Sequence, residues 1–246
     1  TWGTWIAGYP DQALAIGDRG VARGLELKDP FSTAFAKYHL GCVHQECRMG
    51  TAARESGDAV IAIGTEHKFD LFSAAMGKML RGAGLLLEGH LKKGTKELQT
   101  GFNNFRGAGM ELSLTHYYGM LAQAHQAAGR TEEALTSVSD GLAHVEQFNE
   151  RFQEAYLYRL RGDLRLAQSP DNRAEAEECY HTSIDIARRQ NAKSWELQAT
   201  MSLSRLWQED GRSDEAKEML SGIYNWFTEG FDTADLVEAK ALLEVL

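Results

Sequence analysis

Apolar and small residues recur along this chain with a period close to 40. Six small anchors, Ala13, Ala53, Gly94, Ala134, Ala176 and Ala216, stand 40, 41, 40, 42 and 40 residues apart. Eight places after each anchor comes a large apolar residue, in turn Val21, Ile61, Phe102, Leu142, Ile184 and Tyr224. Five places before stand Gly8, Arg48, Gly89, Gly129, Asp171 and Gly211, mostly glycine. A fixed period of this length marks a repeat architecture and predicts an all-α chain of stacked helix pairs.

The stretch from Glu111 to Glu150 shows one unit most cleanly. Leu112, Tyr118, Leu121, Ala122 and His125 share a face at helical spacing. Gly129-Arg130 breaks that helix, and Thr131 is the expected N-cap of the next, with Glu132 and Glu133 at its positive end. Ala134, Leu135, Val138, Leu142 and Val145 form the second apolar stripe. Twelve places before the anchors, the first helices carry Gly41, Gly82, Ala122 and Ser204, with Gly162 taking that place in the fifth unit after a longer turn. Small residues facing each other across a pair let the two helices approach closely. Three prolines and no sustained alternation leave strands without support.

A small residue in the first helix, a glycine turn and an anchor alanine in the second resemble the tetratricopeptide repeat. The resemblance implies a right-handed α-solenoid of about six helix-turn-helix repeats, each longer by about six residues than the usual unit of about 34. In that register the repeats run 1–29, 30–68, 69–109, 110–149, 150–191 and 192–230, with a capping helix over 233–246 started by Asp232 or Thr233. Thr1 falls midway along a first helix, so the chain reads as a fragment of a longer protein.

Three stretches in the last third carry a second resemblance: Ala187 to Ala199, Ser204-Arg-Leu-Trp-Gln, and Trp226 to Leu236. They are similar to the C-terminal repeat region of large bacterial signalling proteins. Those proteins place a class III adenylate or guanylate cyclase, or a DNA-binding domain, ahead of a signalling-type ATPase. The resemblance implies a regulatory, partner-sensing region in a bacterial cytoplasm and carries neither catalytic activity onto this chain.

Composition narrows the options further. A net charge of −9 disfavours nucleic acid as a direct partner. Cys42, Cys47 and Cys179 are an odd count without framework spacing, which fits a reducing compartment. No apolar run is long enough to span a membrane. Gly89-His-Leu-Lys-Lys-Gly94-Thr95-Lys96 imitates a phosphate loop but has lysine and threonine in the wrong order. His39, Cys42, His44 and Cys47 crowd one helix that cannot converge all four on a zinc ion. No hydrolase or metalloprotease signature occurs, so neither catalysis nor a cofactor or metal is expected. Tyr224, Trp226, Phe227 and Phe231 read either as core beneath the capping helix or as an exposed docking patch.

The repeat resemblance implies a partner-binding concave face lined by the first helices. Its register places there Phe35, Tyr38 and Gln45, then Met79, then His116 and Gln123, then Tyr156, Arg159 and Asp163, and last Gln198, Met201 and Arg205. Apolar near the start and polar near the end, such a groove suits an amphipathic peptide or helix. No repeated Lys/Arg/Asn clamp marks it as a receptor for carboxylate tails. The expected role is a non-catalytic interaction module, binding a protein, a peptide or its own upstream domains. A small-molecule sensor controlling an upstream domain and a self-association module are the alternatives.

Overall fold

The computed structural model describes residues 1–246, which form helices and turns without a strand. Six helix pairs follow one another. They are α1 (Trp2–Ile6) with α2 (Pro10–Glu26), α3 (Pro30–Glu46) with α4 (Gly50–Glu66), and α5 (Gly77–Leu87) with α6 (Leu91–Gly107). Then come α7 (Leu114–Ala127) with α8 (Thr131–Phe148), α9 (Glu154–Gln168) with α10 (Arg173–Gln190), and α11 (Lys193–Glu209) with α12 (Ser213–Tyr224). A last helix, α13 (Ala234–Val245), covers the sixth pair, and a π-helical segment, Leu71–Met76, runs into α5.

Left-handed residues end most of the helices. Gly8, Gly89, Gly129 and Gly211 all have positive φ, and Arg48 adopts the same conformation (φ 58°) in the equivalent turn. In the fifth pair the short 3-10 turn Pro170–Asn172 takes over instead. All five anchor alanines are fully buried. Gly82 and Gly94 lie face to face: a Cβ on either would come within 2.8 Å of the other's carbonyl oxygen. In the sixth pair the Ser204 hydroxyl donates to the Ala216 carbonyl (3.4 Å). Gly162 departs from this rule, because it makes room for the Tyr180 ring rather than for the partner backbone. Thr131 also departs from expectation. It is the first helical residue of α8, behind Arg130 at the N-cap, and its side chain caps nothing.

The stack closes on itself. From α1, the Trp5 carbonyl accepts a hydrogen bond from Ser194 Oγ of α11 (2.5 Å), and the Trp5 ring meets Trp195 edge-on (4.8 Å). At the start of α2, Gln12 binds the Glu229 carboxylate through its backbone N–H and its side chain. Asp11 accepts from the Gly230 N–H (3.0 Å). Arg48 reaches across to Asp235 and Glu238 of α13 at 2.6 and 2.7 Å. First and last repeats are therefore joined, and the inner helices face a narrow centre instead of an open groove.

The aromatic cluster near the C-terminal end divides. Phe227 is core beneath α13, in one cluster with Leu236 and Ala239. Trp226 packs against Tyr9 and the Gly8 turn, and Phe231 is half-exposed. No helix is long and apolar enough to cross a membrane.

Candidate binding site

At the centre of the closed stack lies a cup of about 420 Å³. Its polar wall comes from Gln45 and Glu46 at the end of α3, Arg48 in the turn that follows, Tyr156 and Arg159 of α9, and Gln198, Met201 and Arg205 of α11. The apolar wall opposite consists of Ala83, Leu86 and Leu87 of α5, Leu98 of α6 and Met120 of α7. Gln123 and Gln126 of α7 also line it. The first helices deliver these residues because each presents one face inward at helical spacing. A larger hollow of about 740 Å³ surrounds the α5–α6 turn. It is an outer depression whose Arg54 and Glu88 already satisfy each other at 3.0 Å.

Every arginine of the cup has a carboxylate. Arg159 binds Asp163 (2.6 Å), Arg205 binds Glu238 (2.5 Å), and Arg48 binds both Asp235 and Glu238. Arg159 also lies over the Tyr156 ring, 5.4 Å from its centroid. Glu46 differs. Its side chain is 9% exposed, it makes no hydrogen bond, and its nearest basic atom is His116 Nδ1 at 4.0 Å. Burial, assisted by the negative charge of Asp235 and opposed by Arg159, pushes the Glu46 carboxyl up to about 8. Its place as the last residue of α3, at the negative end of the helix dipole, acts in the same direction. Burial holds His116 down to about 3, and neither ring nitrogen has a partner.

Of the twelve residues assigned to the inner face from sequence, Gln45, Gln123, Tyr156, Arg159, Gln198, Met201 and Arg205 line the cup. The other five do not. Met79 is fully buried, and the Tyr38 hydroxyl is consumed by Tyr117 (2.6 Å) inside the core. His116 is 1% exposed beneath the Trp2 ring (4.3 Å). Asp163 is occupied by Arg159 and by the Tyr180 hydroxyl (2.8 Å). Phe35 sits in an exposed aromatic cluster with Phe31 and His39. The open groove therefore requires correction: seven of the twelve line a cup, while Tyr38, Met79 and His116 are buried in the core.

Sequence reasoning passed over Glu46, Arg48 and Met120. Arg48 did carry a signal, since it stands where four of the six repeats have glycine. Glu46 carried none, because an acid in the last turn of a helix reads as a solvated residue.

No protein-family model matches the chain, and no curated protein matches it. Solved structures do. One is a putative kinesin light chain of nearly identical TPR-like repeats from Podospora anserina. It shares 17% identity at a TM-score of 0.54, over 76% of this chain and 91% of that one. Another is BtubC (BKLC) from P. vanneervenii, with 16% identity and a TM-score of 0.56 over 90% of this chain and 94% of that one. At such identities the likeness establishes the fold, a TPR-like helical solenoid, and nothing finer.

Proposed function

We propose that this solenoid is a non-catalytic interaction module of a bacterial signal-transduction protein, and that the cup is where it takes hold of a short segment of a protein partner. That segment belongs to another protein or to the module's own upstream domains. The observation that carries the reading is convergence: five successive inner helices bring their side chains to one cavity with an apolar and a polar wall. Its size lies within the range of pockets that enclose compact ligands, about 300–1,000 Å³. That size also favours a second reading, a small-molecule sensor.

A photo-crosslinking residue at Gln123, exposed on the rim, tests the first reading against one at Lys217 on the outer helix α12. Exposed to lysate of the source organism, the Gln123 probe is expected to capture one protein, and short synthetic peptides of that protein compete for the site. Equal capture from both positions, or no competition by any peptide of the captured protein, sinks the reading. Saturable thermal stabilisation by the low-molecular-weight fraction of the same lysate, with no protein captured, establishes the sensor instead.

A further inference from the structure

The charges around the cup do not balance in the way its three arginines imply. Arg48, Arg159 and Arg205 are matched by Asp163, Asp235 and Glu238, all within ion-pair distance. An entering carboxylate would find no free cation and would have to displace one of these pairs. Glu46 is the lining carboxyl left over. The imidazole closest to it, His116, is buried and neutral, and the Trp2 indole N–H makes no hydrogen bond to it. A second lining acceptor is also unused: Gln45 Oε1 is buried without a partner. A buried acceptor left unpaired is costly, so Gln45 Oε1, with the carboxyl of Glu46 beside it on the same lining, points to a donor that arrives with a ligand.

We propose that the segment held in the cup inserts a lysine side chain, its ammonium bound by the Glu46 carboxylate and Gln45 Oε1. Its stem lies against Leu86, Leu87 and Met120. The proposal rests on the cup being the binding site. An ammonium has three donors and no acceptor, and its aliphatic stem is at home on an apolar wall. Entry of the ammonium expels the proton that burial keeps on Glu46, so affinity rises with pH until Glu46 is ionised in the free protein. The groups facing that carboxyl are Cys42 on its own helix, Cys47 just after it, Trp2, His116, Tyr156, Arg159 and Asp235. Burial pushes the Cys42 and Cys47 thiols and the Tyr156 hydroxyl up and His116 down, all away from neutrality, and brings Glu46 up to about 8.

The probes are capped tripeptide mixtures, acetylated and amidated, random at the outer positions and carrying Lys, Gln or Glu in the middle, together with n-hexylamine. Calorimetry near neutral pH in two buffers of different ionisation enthalpy reads both affinity and proton release. The lysine mixture is expected to bind about tenfold more tightly than the glutamine mixture, with the glutamate mixture weakest, and to release a proton. Glu46→Gln abolishes both the preference and the release, and Gln45→Met lowers the preference in part. Hexylamine binding with the same proton release supports the ammonium site and makes a free amine its source. A lysine mixture no tighter than the glutamine one overturns the proposal but leaves the cup reading standing. Preference and release that persist in Glu46→Gln also overturn it. No binding by any mixture removes the cup reading and the proposal together.

Discussion

Glu46 and His116 are adjacent buried groups whose titrations act on stability in opposite directions. Glu46 titrates near 4.5 in an unfolded chain and at about 8 in the fold. Between these values the folded state holds a proton that the unfolded state has lost, so stability falls as pH rises from about 4.5 to about 8. His116 drops from near 6.5 to about 3, so its contribution is present above about 6.5 and is lost as pH falls toward about 3. Glu46→Gln should remove the fall in stability between about 6.5 and about 8 in a series of denaturant melts and leave the rise from about 3 to about 4.5 in place. An unchanged slope between about 6.5 and about 8 would mean that Glu46 is ionised in the fold. Arg48 makes a second case at this scale. Its left-handed backbone costs about 1 kcal/mol relative to glycine, and its guanidinium holds α13. Arg48→Gly and Arg48→Ala both lose the ion pairs, but only glycine relieves the backbone. The glycine variant should therefore melt higher than the alanine variant, and equal melting points would show an unstrained turn. Tyr156 warns against choosing probes by register alone. It is 4% exposed and stacked on Trp195 at 4.8 Å, so Tyr156→Ala is expected to cost about 3–5 kcal/mol of stability and cannot report binding cleanly.

Single helices here are held by how closely their pairs approach. The Gly82–Gly94 crossing tests this, because a methyl at position 82 meets the Gly94 carbonyl and the Leu98 amide, both backbone and both at 2.8 Å. Gly82→Ala gains a little in helix propensity, but the clash is with backbone that cannot swing aside. The net expectation is a loss of about 1–3 kcal/mol in equilibrium unfolding. A neutral or stabilised variant would show that α5 and α6 have room to separate. The anchors and turn glycines that build these pairs were readable because each repeat solves the same local problem, and the same residue types recur at the same offsets. The Gly162 exception was not readable: a small residue beside a tyrosine ring leaves the same trace as one beside a backbone.

The closed stack depends on a seam between its two ends. Trp5 is buried there against Trp195, with Ser194 bound to its carbonyl. Trp5→Ala should cost about 3–5 kcal/mol if the molecule unfolds as one unit. Stability in repeat proteins is a sum of neighbour terms, so the loss should be concentrated at α1, α11 and α13. Hydrogen exchange should then speed up in those helices and stay slow in α7 and α8. Uniform acceleration across all pairs would show that the seam is not a separable unit. Arg48, Gln198 and Arg205 belong to both seam and cup through Asp235 and Glu238, so occupancy of the cup and closure of the stack act on the same side chains.

Helix pairing, turn positions and the inward direction of the first helices follow from the chain alone, because they rest on contacts between residues close in sequence and repeated six times. Closure, the burial of Met79, His116 and Tyr156, and the solitary carboxyl of Glu46 do not. They arise from contacts such as Trp5 with Ser194 and Arg48 with Asp235, 189 and 187 residues apart. Each of these occurs once and lies outside the repeating pattern. Small differences in the angle between successive pairs add up along the stack, and that sum, invisible in any one repeat, determines whether the inner face is a groove or a cup.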